Sequence, residues 1–266
     1  MHDDKRIITR SSFDMLDKDC VAKYVRIKRL EMPRLSHFSD KQMYEVLSLT
    51  NGGVLTLAAV MNFSINPQIL FPQLVITASV IPGVNRKDNA GDLTRFIYNQ
   101  RFEGTISDMF EKALAFCMRN MKTRTIINLV TGKHENRTEY PLAAIREAVL
   151  NALIHRDYSH NTEEMPIQID FFVDRLEIHS PGSLYGSMTV EQLGITRPDQ
   201  RNPTLAVMAE TLLSVENRYS GIPIIRHEMA SYGLPEPIFQ NRSNEFVVIL
   251  FNSAKQFHKK HRIISC

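Results

Sequence analysis

The stretch YPLAAIREAVLNALIHRDYSH (140–160) places Glu147, Asn151 and His155 four residues apart in turn. On a helix that spacing brings a carboxylate, a carboxamide and an imidazole to one face. Leu142, Ile145, Ala148, Val149, Ala152 and Leu153 between them are apolar, so the polar face is a narrow stripe on a mostly buried element. A carboxylate with a carboxamide one turn away can hold a hydrated magnesium ion and orient a water. Magnesium keeps several of its own waters, so two protein oxygens suffice. The same spacing is equally that of the wet face of an ordinary amphipathic helix. In LEIHSPGSL (176–184) a strand runs into Pro181-Gly182, where a residue without a side chain lets the backbone approach a ligand, or simply turns the chain. In SGIPIIRHEMASYGLP (220–235), Gly221 opens a helix whose free N–H groups favour phosphate, although one glycine is a weak signal.

The elements that must position these residues are legible from pattern. Pro141 suits the first turn of a helix running to about His155. Upstream, Val21, Tyr24, Val25 and Leu30 give helical spacing over 17–30, and Ser39 with Gln42 forms a capping box before Met43, Val46 and Leu47. Gly52-Gly53 breaks that segment, and Thr56 caps LAAVMNFS, a run too uniformly apolar for the surface. After a loop between Pro67 and Pro72, LVITASVI (74–81) reads as a buried strand, followed by the polar loop GVNRKDNAGD. Ile106, Met109, Phe110, Ala113 and Leu114 predict a helix over 105–121, and Thr125 to Val130 with a turn at Gly132-Lys133 reads as a hairpin. Further on, Ile167–Val173 and Leu176–His179 read as strands joined by Asp174-Arg175. An irregular stretch containing Asn202-Pro203 follows, then helices near 204–213 and 221–232, a stop at Gly233-Leu234-Pro235, and a terminal strand FVVILF (246–251). The tail KQFHKKHRIISC is basic and most simply solvated, phosphate or nucleic-acid contact being the lesser reading.

The composition excludes several classes. Hydrophobic residues make up 43% of the 266 and charged residues 23%, a globular balance that can bury a large core. A net charge of +3 is too small to mark a nucleic-acid binder. Cys20, Cys117 and Cys266 stand far apart, giving neither a bridge framework nor a zinc site and pointing to a reducing compartment. The polar start is not a signal peptide, and no apolar run reaches membrane length. A soluble, cytoplasmic protein is expected, with no membrane partner. There is no GxxxxGK[ST] phosphate loop, which argues against a helicase motor, and no HRDxxxxN kinase motif.

Taken in order, these elements resemble a family. The helix with Glu147 and Asn151, the hairpin, Pro181-Gly182, RNPTLA (201–206), the Gly221-Ile222 helix, GLPEP (233–237) and the final strand look like a GHKL-type ATPase module. Such a module forms the C-terminal part of a family of bacterial and archaeal transcriptional regulators related to the ATP-dependent DNA helicase RecG. REAVLNALIHRDYS (146–159) is the most specific phrase. The resemblance covers about 139–251 and extends more weakly to 55–76. It implies an α+β fold, a mixed sheet with helices on one face (Bergerat-like), over 139–254, preceded by a mixed helix-and-strand region over 1–138 and followed by the tail 255–266. It implies ATP and magnesium as cofactors, with Glu147 as the catalytic carboxylate activating water and Asn151 as the metal ligand. Ser180, Gly182, Gly221 and Ile222 would contact the nucleotide. The chain departs from the pattern at Ser180, where an Asp normally holds the adenine amino group, and at Tyr219, where a glycine is expected. In such proteins a Schlafen AlbA-type DNA-binding domain usually precedes the module. This chain starts about where that domain would end, so DNA is expected as a partner only through a domain absent here. The implied function is a transcriptional regulator with a nucleotide-dependent switch, acting as a homodimer or through an attached domain. The alternative is a non-catalytic regulator or scaffold with a decayed pocket.

Overall fold

The computed structural model describes residues 2–86, 98–127, 134–197, 199–214 and 221–253. The tail 255–266, most of the polar loop GVNRKDNAGD, the central hairpin turn and Tyr219 lie outside the described residues. In chain order the elements are α1 (Lys18–Glu31), α2 (Asp40–Val46), β1 (Thr50–Asn51), β2 (Val54–Leu55), α3 (Leu57–Phe63), β3 (Ile76–Val80), β4 (Tyr98–Phe102), α4 (Ile106–Asn120), β5 (Thr123–Ile127), β6 (His134–Thr138), α5 (Leu142–His155), β7 (Ile167–Phe171), β8 (Arg175–Pro181), α6 (Pro203–Leu213), α7 (Gly221–Ser231), β9 (Ile238–Asn241) and β10 (Glu245–Phe251). The architecture is α+β. None of the described helices is long and apolar enough to cross a membrane.

Local chemistry sets the helix starts. The Asp17, Thr56 and Thr105 side chains each accept a backbone N–H three residues on, and Ser39 does so within a two-way capping box with Gln42. Every residue of α3 is buried, as its uniform apolarity requires. Each large apolar side chain there contributes on the order of 1.5–3 kcal/mol by leaving water. At the other end of the chain Gly233 (φ +63°) follows α7, and its N–H and that of Leu234 close on the carbonyls of Ala230 and Met229.

A six-stranded mixed sheet, in the order β4-β3-β7-β8-β10-β9, is the scaffold of the site. β3 and β7 run parallel, and the other neighbours are antiparallel. Strands from both sides of residue 138 share this sheet, and one buried cluster extends from Leu16 to Leu250. Side-chain alternation sends Leu176, Ile178 and Ser180 of β8 toward the helices and Glu177 and His179 to the opposite face. On that opposite face His179 donates to Glu245 (3.0 Å) and Glu177 (3.1 Å). Burial opposes its charge, yet these two carboxylates hold its pKa above the usual value.

Three sequence expectations need correction. β8 runs from Arg175 to Pro181 rather than over 176–179, because β10 offers seven consecutive partners, pairing Phe251 with Arg175 and Glu245 with Pro181. The turn therefore falls before Arg175, closed by the Phe172 N–H on the Arg175 carbonyl. The central hairpin begins at Thr123, two residues early, and its turn at Gly132-Lys133 lies outside the described residues. β4 (YNQRF) and β9 (IFQN) are absent from the pattern because both are polar edge strands held by one neighbour each.

Candidate functional site

α5 lies beneath β8, and α7 lies beside α5, so the polar stripe of α5 faces the start of α7. Gly221, the first residue of α7, is buried against it. A Cβ at Gly221 would stand 2.7 Å from the Asn151 amide nitrogen and 2.9 Å from a Glu147 carboxylate oxygen. Only glycine lets the helix start approach the pair this closely. Neither the Glu147 nor the Asn151 side chain makes a hydrogen bond to another described residue. Burial raises the Glu147 pKa, the nearby Arg146 charge opposing the shift. Among the described residues no three His, Cys, Asp or Glu side chains gather as a metal site. A hydrated magnesium ion shared between Asn151 and ligand phosphates does not require one.

Beyond this pair the space between α5, β8, β10 and α7 opens into a cavity of about 140 Å³, lined by Asn151, His155, Ser180, Gly182, Gly221 and Ile222 among others. That is room for about one planar ring system. Its walls are largely apolar, with Ala148, Ala152, Ile178 and Val248 contributing. His155 stays neutral, because burial and the Arg201 charge push its pKa down to about 4. Ser180 donates its hydroxyl proton to the Ala152 carbonyl at 3.0 Å, one turn below His155 on α5. Gly182 has φ +95°, and a Cβ there would overlap Asp157 and the Arg201 guanidinium. Of the seven residues singled out from the sequence, Asn151, His155, Ser180, Gly182, Gly221 and Ile222 line this one space, whereas Glu147 does not line it and stands beside Gly221.

Residues 183–197 and 199–201 cover that space. Arg201 donates to the Ser183 carbonyl (2.9 Å) and pairs with Asp157 at 3.5 Å, and its guanidinium lies 5.2 Å from the Tyr185 ring centre. Gly194 packs on Ile222 and Pro223 of α7, and Arg226 donates to the Leu193 carbonyl. Asn202, wholly buried, donates to the carbonyls of Ile154 and Arg156, satisfying the C-terminal end of α5. Arg156 and Asp157 make helix-end contacts and no side-chain ion pair with each other, the Arg156 Nε donating to the Asp157 backbone carbonyl at 3.2 Å. Arg156 donates to the carbonyls of Thr162 and Met165, whereas Asp157 turns to Arg201 and the Ser159 N–H.

Sequence reasoning misses two contributors. Arg201 is visible only inside the phrase RNPTLA, which says nothing of its burial at the cavity. The N-terminal segment carries no pattern beyond its polarity, yet the His2 ring donates to the Arg201 carbonyl at 3.0 Å and Asp4 is wholly buried at the start of α6.

Residues 164–250 match the family described as "Putative ATP-dependent DNA helicase recG C-terminal", so the RecG-related resemblance holds over that stretch. Ser180, Gly182, Gly221 and Ile222 lie inside the match; Glu147 and Asn151 lie before it. The fold is similar to the crystal structure of the DIP2311 protein from Corynebacterium diphtheriae, with a TM-score of 0.69 and 20% identity over 94% of this chain and 48% of that one. Identity at that level shows the fold alone. The chain spans about half the length of that structure. No curated protein matches.

Proposed function

We propose that this chain binds a nucleoside triphosphate with magnesium between α5 and α7 and works as a nucleotide-dependent conformational switch in a transcriptional regulator. The observation that carries the reading is Gly221 seated directly against Glu147 and Asn151. It joins a helix start, which favours phosphate, to a carboxylate and a carboxamide that have no partner among the described residues. Magnesium, when bound, neutralises phosphate charge and polarises the terminal phosphoryl group. Asn151 would supply the protein oxygen for it. Glu147, its pKa raised by burial, accepts a proton from the attacking water. The Gly221 and Ile222 N–H groups, at the start of α7, would bind the phosphates, and the cavity beside Ser180 would take the base. Turnover is expected to be slow, since a switch depends on binding more than on speed.

The cover over 183–197 and 199–201 is the element a ligand would bias, because it lines the cavity and packs on α7 at once. Through it the bound state would reach a second copy or an attached DNA-binding domain. A second reading, a scaffold whose pocket no longer binds, is favoured by one observation. Ser180 stands where the family resemblance expects a carboxylate, and its proton is already given to Ala152. Calorimetric titration with non-hydrolysable ATP and GTP analogues and magnesium, beside Asn151→Ala, separates the two. Binding that falls by about tenfold or more without Asn151 supports the switch. No binding by the wild-type chain at millimolar analogue leaves the scaffold.

A further inference from the structure

The cover of the cavity is fastened from outside by the first residues of the chain. At the base of this segment the Leu57 N–H donates to the Arg6 carbonyl, the Ile8 N–H donates to the Leu55 carbonyl, and Ile7 bridges to Thr56. From there the segment passes Asp4, wholly buried at the start of α6, and reaches the cover at His2. The His2 ring donates to the Arg201 carbonyl at 3.0 Å and lies 6.4 Å from the Tyr185 ring. Tyr185 and Arg201 both line the cavity. We propose that residues 2–6 form a latch that holds the cover shut, so that a ligand enters or leaves the cavity only when the latch lets go. This goes beyond the nucleotide reading, because it concerns access to the cavity whatever occupies it.

The place of the contact makes it a latch. His2 touches both ends of the cover, Tyr185 near its start and Arg201 at its end, and Arg201 in turn donates to the Ser183 carbonyl. Arg201 adjoins Asn202, whose amide is pinned to the last carbonyls of α5. His2 therefore grips the cover beside a fixed point, where a small local movement swings the rest.

The two ends of the segment are held unequally. Arg6 pairs with Glu163 and donates to the His160 ring, so the base is anchored to the loop after α5. The tip is held by one ring hydrogen bond and one ring contact, so it can peel away while the base stays. The docked state also leaves polar atoms buried without a partner among the described residues, Asp4 Oδ1 in the segment and Asn202 Oδ1 beside the cover. Burial raises the Asp4 pKa against the two N–H groups it caps. Peeling returns Oδ1 to water, which offsets part of the cost of leaving α6 and keeps the two states close in free energy.

The test is amide hydrogen exchange on the full, unliganded chain, for wild type, His2→Ala, His2→Asn and the exposed control Lys5→Ala. Removing the tip contact should speed exchange over 183–197 by about fivefold, the worth of one hydrogen bond, and leave β8 and β10 unchanged. His2→Asn places an amide N–H near the position of Nδ1 and should restore most of the protection. Lys5→Ala should match wild type. Unchanged exchange over 183–197 in His2→Ala overturns the latch. An equal rise across β8 and β10 overturns it too, since it would report lost global stability. The association rate of a non-hydrolysable ATP analogue with magnesium should rise in His2→Ala by a similar factor. An unchanged rate in a chain that binds the analogue overturns the control of access. If the wild-type chain binds no analogue, the nucleotide reading falls and the exchange rates alone decide the latch.

Discussion

The Asp4 carboxylate accepts the backbone N–H of Thr204 at 2.7 Å, so the first turn of the chain caps a helix that begins about 200 residues later. The same oxygen accepts the Leu205 N–H at 3.1 Å. The local N-cap residue of α6, Asn202, makes no cap of its own, its amide being spent on the end of α5. Asp4→Ala leaves those N–H groups buried and unpaired. Urea unfolding should show a loss of about 2 kcal/mol, and a loss below about 0.5 kcal/mol would mean that water or another group takes over the cap.

Gly221→Ala separates fold from ligand. The atoms nearest the new methyl are the tips of the Asn151 and Glu147 side chains, which can swing aside, so the melting temperature should change little. Displacing both polar groups should weaken magnesium–nucleotide binding by about tenfold or more, the size of one lost hydrogen bond to a charged group. Full affinity in the alanine variant would place the phosphates elsewhere.

Gly182→Ala should behave in the opposite way. Its φ of +95° is unfavourable for any side chain, and the methyl meets the Asp157 Cβ and backbone, which have less freedom to move. A cost of about 2–3 kcal/mol is expected in thermal or urea unfolding, from strain and steric overlap together.

Acid should destabilise the fold through His155. Its folded pKa is about 4, against 6.5 for the free ring. A depressed histidine must charge on unfolding, so its contribution is fully present above the free value and is lost as pH falls from 6.5 toward 4. His155→Gln should flatten the stability profile over that window. Nuclear magnetic resonance titration of the ring should show it neutral at about pH 6, and a midpoint near the free value would contradict the buried placement.

Much of this molecule is written in local pattern. Helix starts at Asp17, Ser39, Thr56 and Thr105 follow from one side-chain oxygen and one N–H three residues on, an interaction that short-range order specifies. The stripe of Glu147, Asn151 and His155 follows from helical spacing, and the inward face of β8 follows from strand alternation. The RecG-related stretch is legible for a related reason, because its phrases keep glycines and prolines where the backbone needs them.

What local pattern does not carry is pairing at a distance. Only the folded sheet sets β3 parallel to β7, recruits the polar edge strands β4 and β9, and extends β8 to match seven residues of β10. Asp4 capping α6, Asn202 closing α5 and Arg201 buried between Asp157 and the cavity join residues that no window of sequence contains together. The residue types that could do chemistry were determined by the sequence alone. Which of them share one desolvated space, and with which charges left unpaired, was decided by tertiary packing, because burial and the fields it creates belong to no residue by itself.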